Sequence, residues 1–220
     1  KDDVQREYFL VKMMKILMLK RLESSWKAFQ ITVGNILDHH KNALERIEQY
    51  QTKKVELGID NYANLLVIEG DEDLSRQLDV FQLGKKRPIS LSEIDAAGRM
   101  EDFKAAIKKD KRNLILVYSN INEFAAKAAK NIKTDEKLVE LFKILDIKKQ
   151  SSNQKVVIFT SYKDTAEYLY EQLQAAKYTR LGVVYGSDAK TDFDTNKINI
   201  NILLQHFAPY TKLFLEKRWS

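Results

Sequence analysis

The chain contains no cysteine among its 220 residues. That excludes disulfides, cysteine-ligated zinc and a thiol nucleophile, and it fits a reducing compartment. Histidine is scarce as well: only His39, His40 and His206 occur. His39 and His40 are adjacent on a helical stretch, so they point about 100° apart and do not converge on one metal. His206 has no catalytic partner in the sequence. Two prolines and seven glycines leave few break points, which predicts long helices and few tight turns. No Gly-x-x-x-x-Gly-Lys-Ser/Thr phosphate loop occurs, and no Asp-Glu pair ends a strand where it could bind magnesium. Long uncharged runs are missing too. The apolar stretch Tyr8 to Leu22 is interrupted by Lys12, Lys15, Lys20 and Arg21, well short of the roughly 20 apolar residues a membrane helix needs. No signal-peptide cleavage pattern follows it. The stretch reads as a buried helix of a cytoplasmic protein, with no membrane partner. The chain opens with Lys1 rather than Met, and a piece of a longer polypeptide is expected.

What is present is ordinary in amount and informative in arrangement. Hydrophobic residues make up 44% of the chain and charged residues 31%, enough for a sizeable core. The net charge of +6 is a mild basic bias that does not by itself establish a nucleic-acid partner. Helical signals dominate the first two thirds. A first helix is predicted from Val4 to Leu22. Ser24 and Ser25 are N-cap residues for a second. Its apolar positions Trp26, Phe29, Val33, Ile36, Leu44, Ile47 and Tyr50, with His40 among them, recur at spacings of three and four as far as Gly58. A third long helix is predicted from Arg99 to Asn131, its seam running through Met100, Phe103, Ile107, Leu114, Val117, Ile121, Phe124 and Ala128. The seams match in length, so antiparallel packing is expected, with Ile47 near Ile107 and a hydrogen bond between the seam-breaking His40 and Asp110. Between them lies an acidic loop, Glu69-Gly70-Asp71-Glu72-Asp73, and a basic turn, Lys85-Lys86-Arg87-Pro88. The basic stretch Lys108 to Arg112 reads as a solvated helix face ahead of a DNA stripe.

The last third changes period. Thr134 or Asp135 caps a helix from Glu136 to Ile147. The β-branched and aromatic run Val156 to Phe159 then reads as a strand buried on both faces, followed at once by a helix from Lys163 to Ala176. Leu181 to Tyr185 reads as a second strand, and Ile198 to Phe207 as a helix. The right-handed crossover rule makes the two strands neighbours or near neighbours in a parallel sheet. In an open α/β sheet, ligands bind where strands end and helices begin. Thr160 and Ser161 occupy such a junction. They either cap the helix or hold a phosphate with hydroxyls and free backbone N–H groups, and the two roles are compatible. Gly186-Ser187 is either a plain turn or a nucleic-acid-facing loop.

The segments Glu136 to Leu141, Lys155 to Tyr162 and Ala166 to Leu169 resemble the start of the second RecA-like lobe of superfamily-two helicases. They are most similar to Swi/Snf-type and RapA-like DNA translocases. Gly182 to Ser187 resembles the family's next strand and its nucleic-acid-facing loop. Leu203 to Tyr210 resembles the helix and turn before motif V. Ile16 to Ser25 resembles the segment that leaves the first lobe in bacterial members. The helical middle matches only in position, as the protrusion between the lobes. The departures are the missing phosphate loop and the end of the chain at Ser220, before motif V and the arginine-bearing motif VI.

The resemblance implies a predominantly helical α/β chain: a long antiparallel helical hairpin plus an incomplete RecA-like parallel α/β unit. Residues 1–134 would be the protrusion and linker, and residues 135–220 part of the second lobe. It implies a fragment of an ATP-dependent DNA translocase, inactive alone, whose full-length parent is a nucleic-acid-dependent ATPase. Thr160, Ser161, Lys163, Gly186 and Ser187 would contact a nucleic-acid backbone, duplex DNA ahead of RNA. The other implied partner is the first RecA-like lobe of the same full-length chain. ATP and magnesium are implied for the parent and no cofactor for this piece. The alternative is a non-enzymatic helical interaction module whose βα unit is only structural.

Overall fold

The computed structural model describes residues 2–59, 81–84, 88–193 and 199–208. The described chain is mostly helical. Its order is α1 (Asp2–Ser24), α2 (Trp26–Glu56), β1 (Gln82–Leu83), β2 (Ile89–Ser90), α3 (Leu91–Ala96), α4 (Met100–Lys130), a 3₁₀ turn (Ile132–Thr134), α5 (Glu136–Lys149), α6 (Lys163–Ala175), β3 (Gly182–Tyr185), β4 (Asp188–Thr191) and α7 (Ile200–Phe207). Apart from the short α3, which the sequence reading does not predict, the described helix boundaries fall within about two residues of those read from spacing and caps, the scatter that terminal fraying produces. No described helix is long and apolar enough to cross a membrane. The acidic loop Glu69 to Asp73 and Lys85 to Arg87 lie outside the described residues. Contacts group the chain into two compact units, one of residues 33–120 and one of residues 1–32 with 121–220.

The unit of residues 33–120 is built on an apolar core. Along α2, Val33, Leu44, Ile47 and Tyr50 are buried as the spacing predicts, and Leu37 is buried where the predicted seam runs through Ile36, which is only half-buried. Ile47 and Tyr50 join Ile59, Leu91 and Met100 in one cluster, against which Phe81, Phe103 and Ile107 pack. The Tyr50 hydroxyl donates to Asp95 Oδ2 at 2.8 Å, and Lys54 Nζ pairs with the same oxygen at 2.7 Å. Gln51 donates to Glu101 Oε1 at 2.9 Å and accepts from Lys104 at 2.6 Å. Tyr118 lies beside Gly34. β1 and β2 form an antiparallel ladder, Gln82 opposite Ser90 and Leu83 opposite Ile89. Ser90 then caps α3 by accepting the Glu93 amide at 3.4 Å, a Ser-x-x-Glu start that the sequence displays. One expectation fails here. His40 Nδ1 lies 2.8 Å from the Ile36 carbonyl of its own helix, and Asp110 is exposed, so the two do not pair. A nearby carbonyl one turn back is the cheaper partner for the imidazole.

The discontinuous unit is held by polar ties around a smaller set of buried apolar residues. Asp135 Oδ1 accepts the Leu138 amide at 3.1 Å and caps α5. Its Oδ2 accepts from Tyr168 at 2.6 Å and from Trp26 Nε1 at 2.8 Å. Trp26 also stands edge-on to Phe124 and Tyr168. Burial first, then the Asp135 hydrogen bond, pushes the Tyr168 phenol far above its ordinary range. Ala28, Leu138, Leu145, Leu173 and Val183 complete the buried apolar set among the described residues.

The strand expectations need correction. β3 forms within the stretch Leu181 to Tyr185 that the residue types predict, but it pairs antiparallel with β4, Val183 opposite Lys190 and Tyr185 opposite Asp188. Val156 to Phe159 belongs to no ladder, and Phe159 is 92% exposed. Both described sheets are two-stranded and antiparallel. A hairpin closes on two residues, whereas parallel pairing needs a crossover of a dozen or more, so local closure wins among the described residues.

Candidate nucleic-acid interface

Of the five residues read from the sequence, Lys163 meets the β3–β4 hairpin through Tyr185, Thr160 and Ser161 adjoin the start of α6, and Gly186 and Ser187 form the hairpin tip. The N-cap of α6 is Tyr162, with no side-chain hydrogen bond closing it. Neither Thr160 nor Ser161 caps the helix, so the capping expectation does not hold. First-turn amides are left without a side-chain acceptor, which is the condition under which a helix start favours an anion. Asp164 also sits in that turn, where its carboxylate is taken by Arg21 at 2.6 Å. The Arg21 guanidinium lies 4.6 Å from the centre of the Tyr162 ring.

Thr160 is the residue that the structure sets apart. It is half-buried, and its Oγ1 lies 3.3 Å from Ser24 Oγ and accepts the Tyr162 amide at 3.4 Å. Ser24 and Ser25 converge on Thr165 Oγ1 at 2.8 and 2.9 Å, and Ser25 accepts the Ala28 amide to start α2. The Thr160 hydroxyl thus faces an internal chain of hydroxyls. Ser161 is exposed.

Lys163 points toward the hairpin. Its Nζ lies 4.3 Å from the Tyr185 ring centre and 3.8 Å from Glu167 Oε1. Lys190 approaches the same carboxylate at 3.8 Å and the same ring at 5.9 Å. A hydrogen bond with Tyr185, then the tyrosine's charge, and more weakly Glu167 and Glu171, raise the Lys190 pKa, so its ammonium persists into alkaline solution. Two ammonium groups thus share the Glu167 carboxylate, with Glu171 also close enough to act on Lys190. Gly186 has φ +59° and opens the two-residue turn, with Ser187 second. Glycine at the first central position suits a II′ hairpin turn. Gly186-Ser187 is therefore a turn, and Tyr185 places it beside Lys163.

No protein-family model, no curated protein and no solved structure matches this chain. Arg21, Tyr185, Lys190 and Glu167 are site residues that sequence reasoning misses. Lys163 and Glu167 carry the i,i+4 spacing of a helical ion pair, a signal that is present in the sequence. Lys190 and Tyr185 meet as a cross-strand diagonal, which requires the antiparallel register to be known. Among the described residues no cluster of three or more His, Cys, Asp or Glu could hold a metal. His206 stacks edge-on to Phe193 at 5.2 Å. Chemically, the patch offers ammonium groups, an exposed hydroxyl and backbone amides. These are donors for phosphate oxygens, with no nucleophile and general base arranged together.

Proposed function

We propose that this chain is part of an ATP-dependent, helicase-like DNA translocase. It would contribute the inter-lobe helical hairpin and the opening of a second RecA-like lobe, with residues 1–134 and 135–220 as its two functional parts. The observation that carries the reading is the Lys155 to Leu169 resemblance. It is supported by Lys163 and Ser161 at an uncapped helix start, beside the Tyr185-Gly186-Ser187 tip. Two further features agree with it. Val156 to Phe159 is an apolar β-branched run without a ladder, as a sheet strand lacking its neighbours would be. Tyr8, Phe9, Leu10, Met14, Leu17 and Leu19 of α1 are all more than 40% exposed, and a helix apolar around its circumference calls for cover. The first lobe of the same full-length, cytoplasmic chain would provide it.

In this reading the patch holds a duplex DNA backbone without reading bases. The sequence has no phosphate loop, so its own residues do not fit ATP phosphates or their magnesium ion. The exposed α1 surface equally suits the alternative of a non-enzymatic interaction module. Duplex binding separates the two. The purified chain is titrated with a labelled duplex of about 20 base pairs between about 50 and 200 mM salt. Weak binding is expected, independent of sequence and falling with salt, with no ATP hydrolysis. Lys163→Gln should lower the salt slope by about one contact. ATPase activity stimulated by duplex in this chain, or binding untouched by Lys163→Gln, would overturn the assignment.

A further inference from the structure

A second feature lies wholly within the unit of residues 33–120 and is not used by the proposed DNA contacts. An open groove runs between α2 and α4, with Leu44, Ala105 and Ile115 among its lining. Lys108, Lys111 and Arg112 line it from α4, and Glu45 and Glu48 from α2. Among the described residues none of these five charges makes an ion pair, whereas Lys41, also at the groove, pairs with Asp38 at 3.0 Å. Cations on one wall and anions on the other thus face a shared apolar floor without closing on each other. Ile115 is 44% exposed, whereas its neighbour Leu114 turns into the seam and is half-buried.

We infer that this groove receives a third amphipathic helix from a protein partner, with an apolar stripe, an acidic flank toward Lys108, Lys111 and Arg112, and a basic flank toward Glu45 and Glu48. Charge complementarity selects this occupant. A nucleic-acid backbone would gain from the α4 wall but meet Glu45 and Glu48 opposite, and it has no use for an apolar floor. A helix with opposite flanks satisfies both walls and covers the floor, as a third strand of a coiled coil does. Along α4 the lining extends from Ala105 to Ile115, roughly three helical turns, long enough for about one and a half heptads of contact.

The probe is a synthetic helical peptide of about three heptads, with leucine core positions, glutamate on one flank and lysine on the other. It is used with an all-glutamate and an all-lysine version and kept dilute enough to stay monomeric. Binding to the full chain is followed by fluorescence anisotropy. The mixed peptide should bind tightest and the all-lysine peptide at least about tenfold weaker, because several charge pairs change sign together. The K108E/K111E/R112E protein should lose the mixed peptide and gain the all-lysine one. Ile115→Ser should weaken every peptide, with circular dichroism confirming an intact fold. If all three peptides bind alike, or none binds, the groove takes no such helix. If the triple variant instead loses duplex DNA while the peptides never bind, the wall is a nucleic-acid surface and the inference is wrong. None of these readouts depends on Lys163, so the translocase reading stands or falls separately.

Discussion

The two units solve the same stabilisation problem differently. The unit of residues 33–120 closes a cluster of Ile47, Tyr50, Ile59, Leu91 and Met100, with Leu91 and Ile47 fully buried. The discontinuous unit relies on convergent polar groups: Asp135 with Trp26 and Tyr168, and Thr165 with Ser24 and Ser25. It also leaves apolar side chains of α1 and of Val156 to Phe159 in solvent. Apolar burial is non-directional and tolerates small shifts, whereas a buried hydrogen-bond network fails if one member is lost. The difference sets a unit closed mainly by apolar burial against one closed mainly by buried polar groups.

Three measurements sharpen that contrast, beginning with the largest effect. Leu91→Ala should cost about 3 kcal/mol in urea unfolding, the usual scale for emptying a fully buried leucine site. A loss below about 1 kcal/mol would mean that the cluster is not a tight core. Asp135→Ala should cost about 2 kcal/mol, because it removes a helix cap and strands the Trp26 and Tyr168 donors. Tryptophan fluorescence should shift with it. If Asp135→Ala proves neutral, the polar tie is ornamental and the comparison collapses.

The smallest effect is a pH dependence. Burial, then the hydrogen bond to Asp146, pushes the Tyr178 phenol up to about 12 from an ordinary 10.0. The Tyr178–Asp146 contact is 2.8 Å long, and the same bond lowers the Asp146 pKa. A raised folded-state pKa means that the unfolded chain releases the proton first. The tyrosine's contribution is therefore intact below pH 10 and is lost as pH rises toward 12. Asp146 behaves oppositely: its contribution is present above its ordinary value of 3.8 and is lost as pH falls below it. Stability measured against pH for Tyr178→Phe should fall less steeply above pH 10 than that of the parent chain, with the contribution of the raised Tyr168 phenol remaining in both. An identical alkaline profile in both proteins would assign the fall to other groups.

Much of the candidate site is legible in the sequence because its parts are local. Lys163 opening a helix follows from residue type and from neighbours a few positions away, and Gly186-Ser187 is narrowed by residue type to a turn or a loop. What is not legible depends on distant residues. Whether the Thr160 hydroxyl meets a ligand or Ser24 depends on a segment 136 residues away. Lys190 enters the patch only because β4 folds back on β3. The groove charges illustrate the same limit: Lys108 to Arg112 reads as a solvated face until Glu45 and Glu48 are placed across from it.

The sequence by itself determined the long helices, since periodicity at three and four and caps such as Asp135 act within one or two turns; the short α3 is not among them. It determined that cysteine chemistry is absent. Only the tertiary structure decided which strands pair and in which direction. A run such as Val156 to Phe159 carries extended-strand propensity, yet a ladder exists only when a second backbone supplies the matching N–H and C=O groups. Propensity belongs to a segment; pairing belongs to two segments at once, and that second partner is set by the fold.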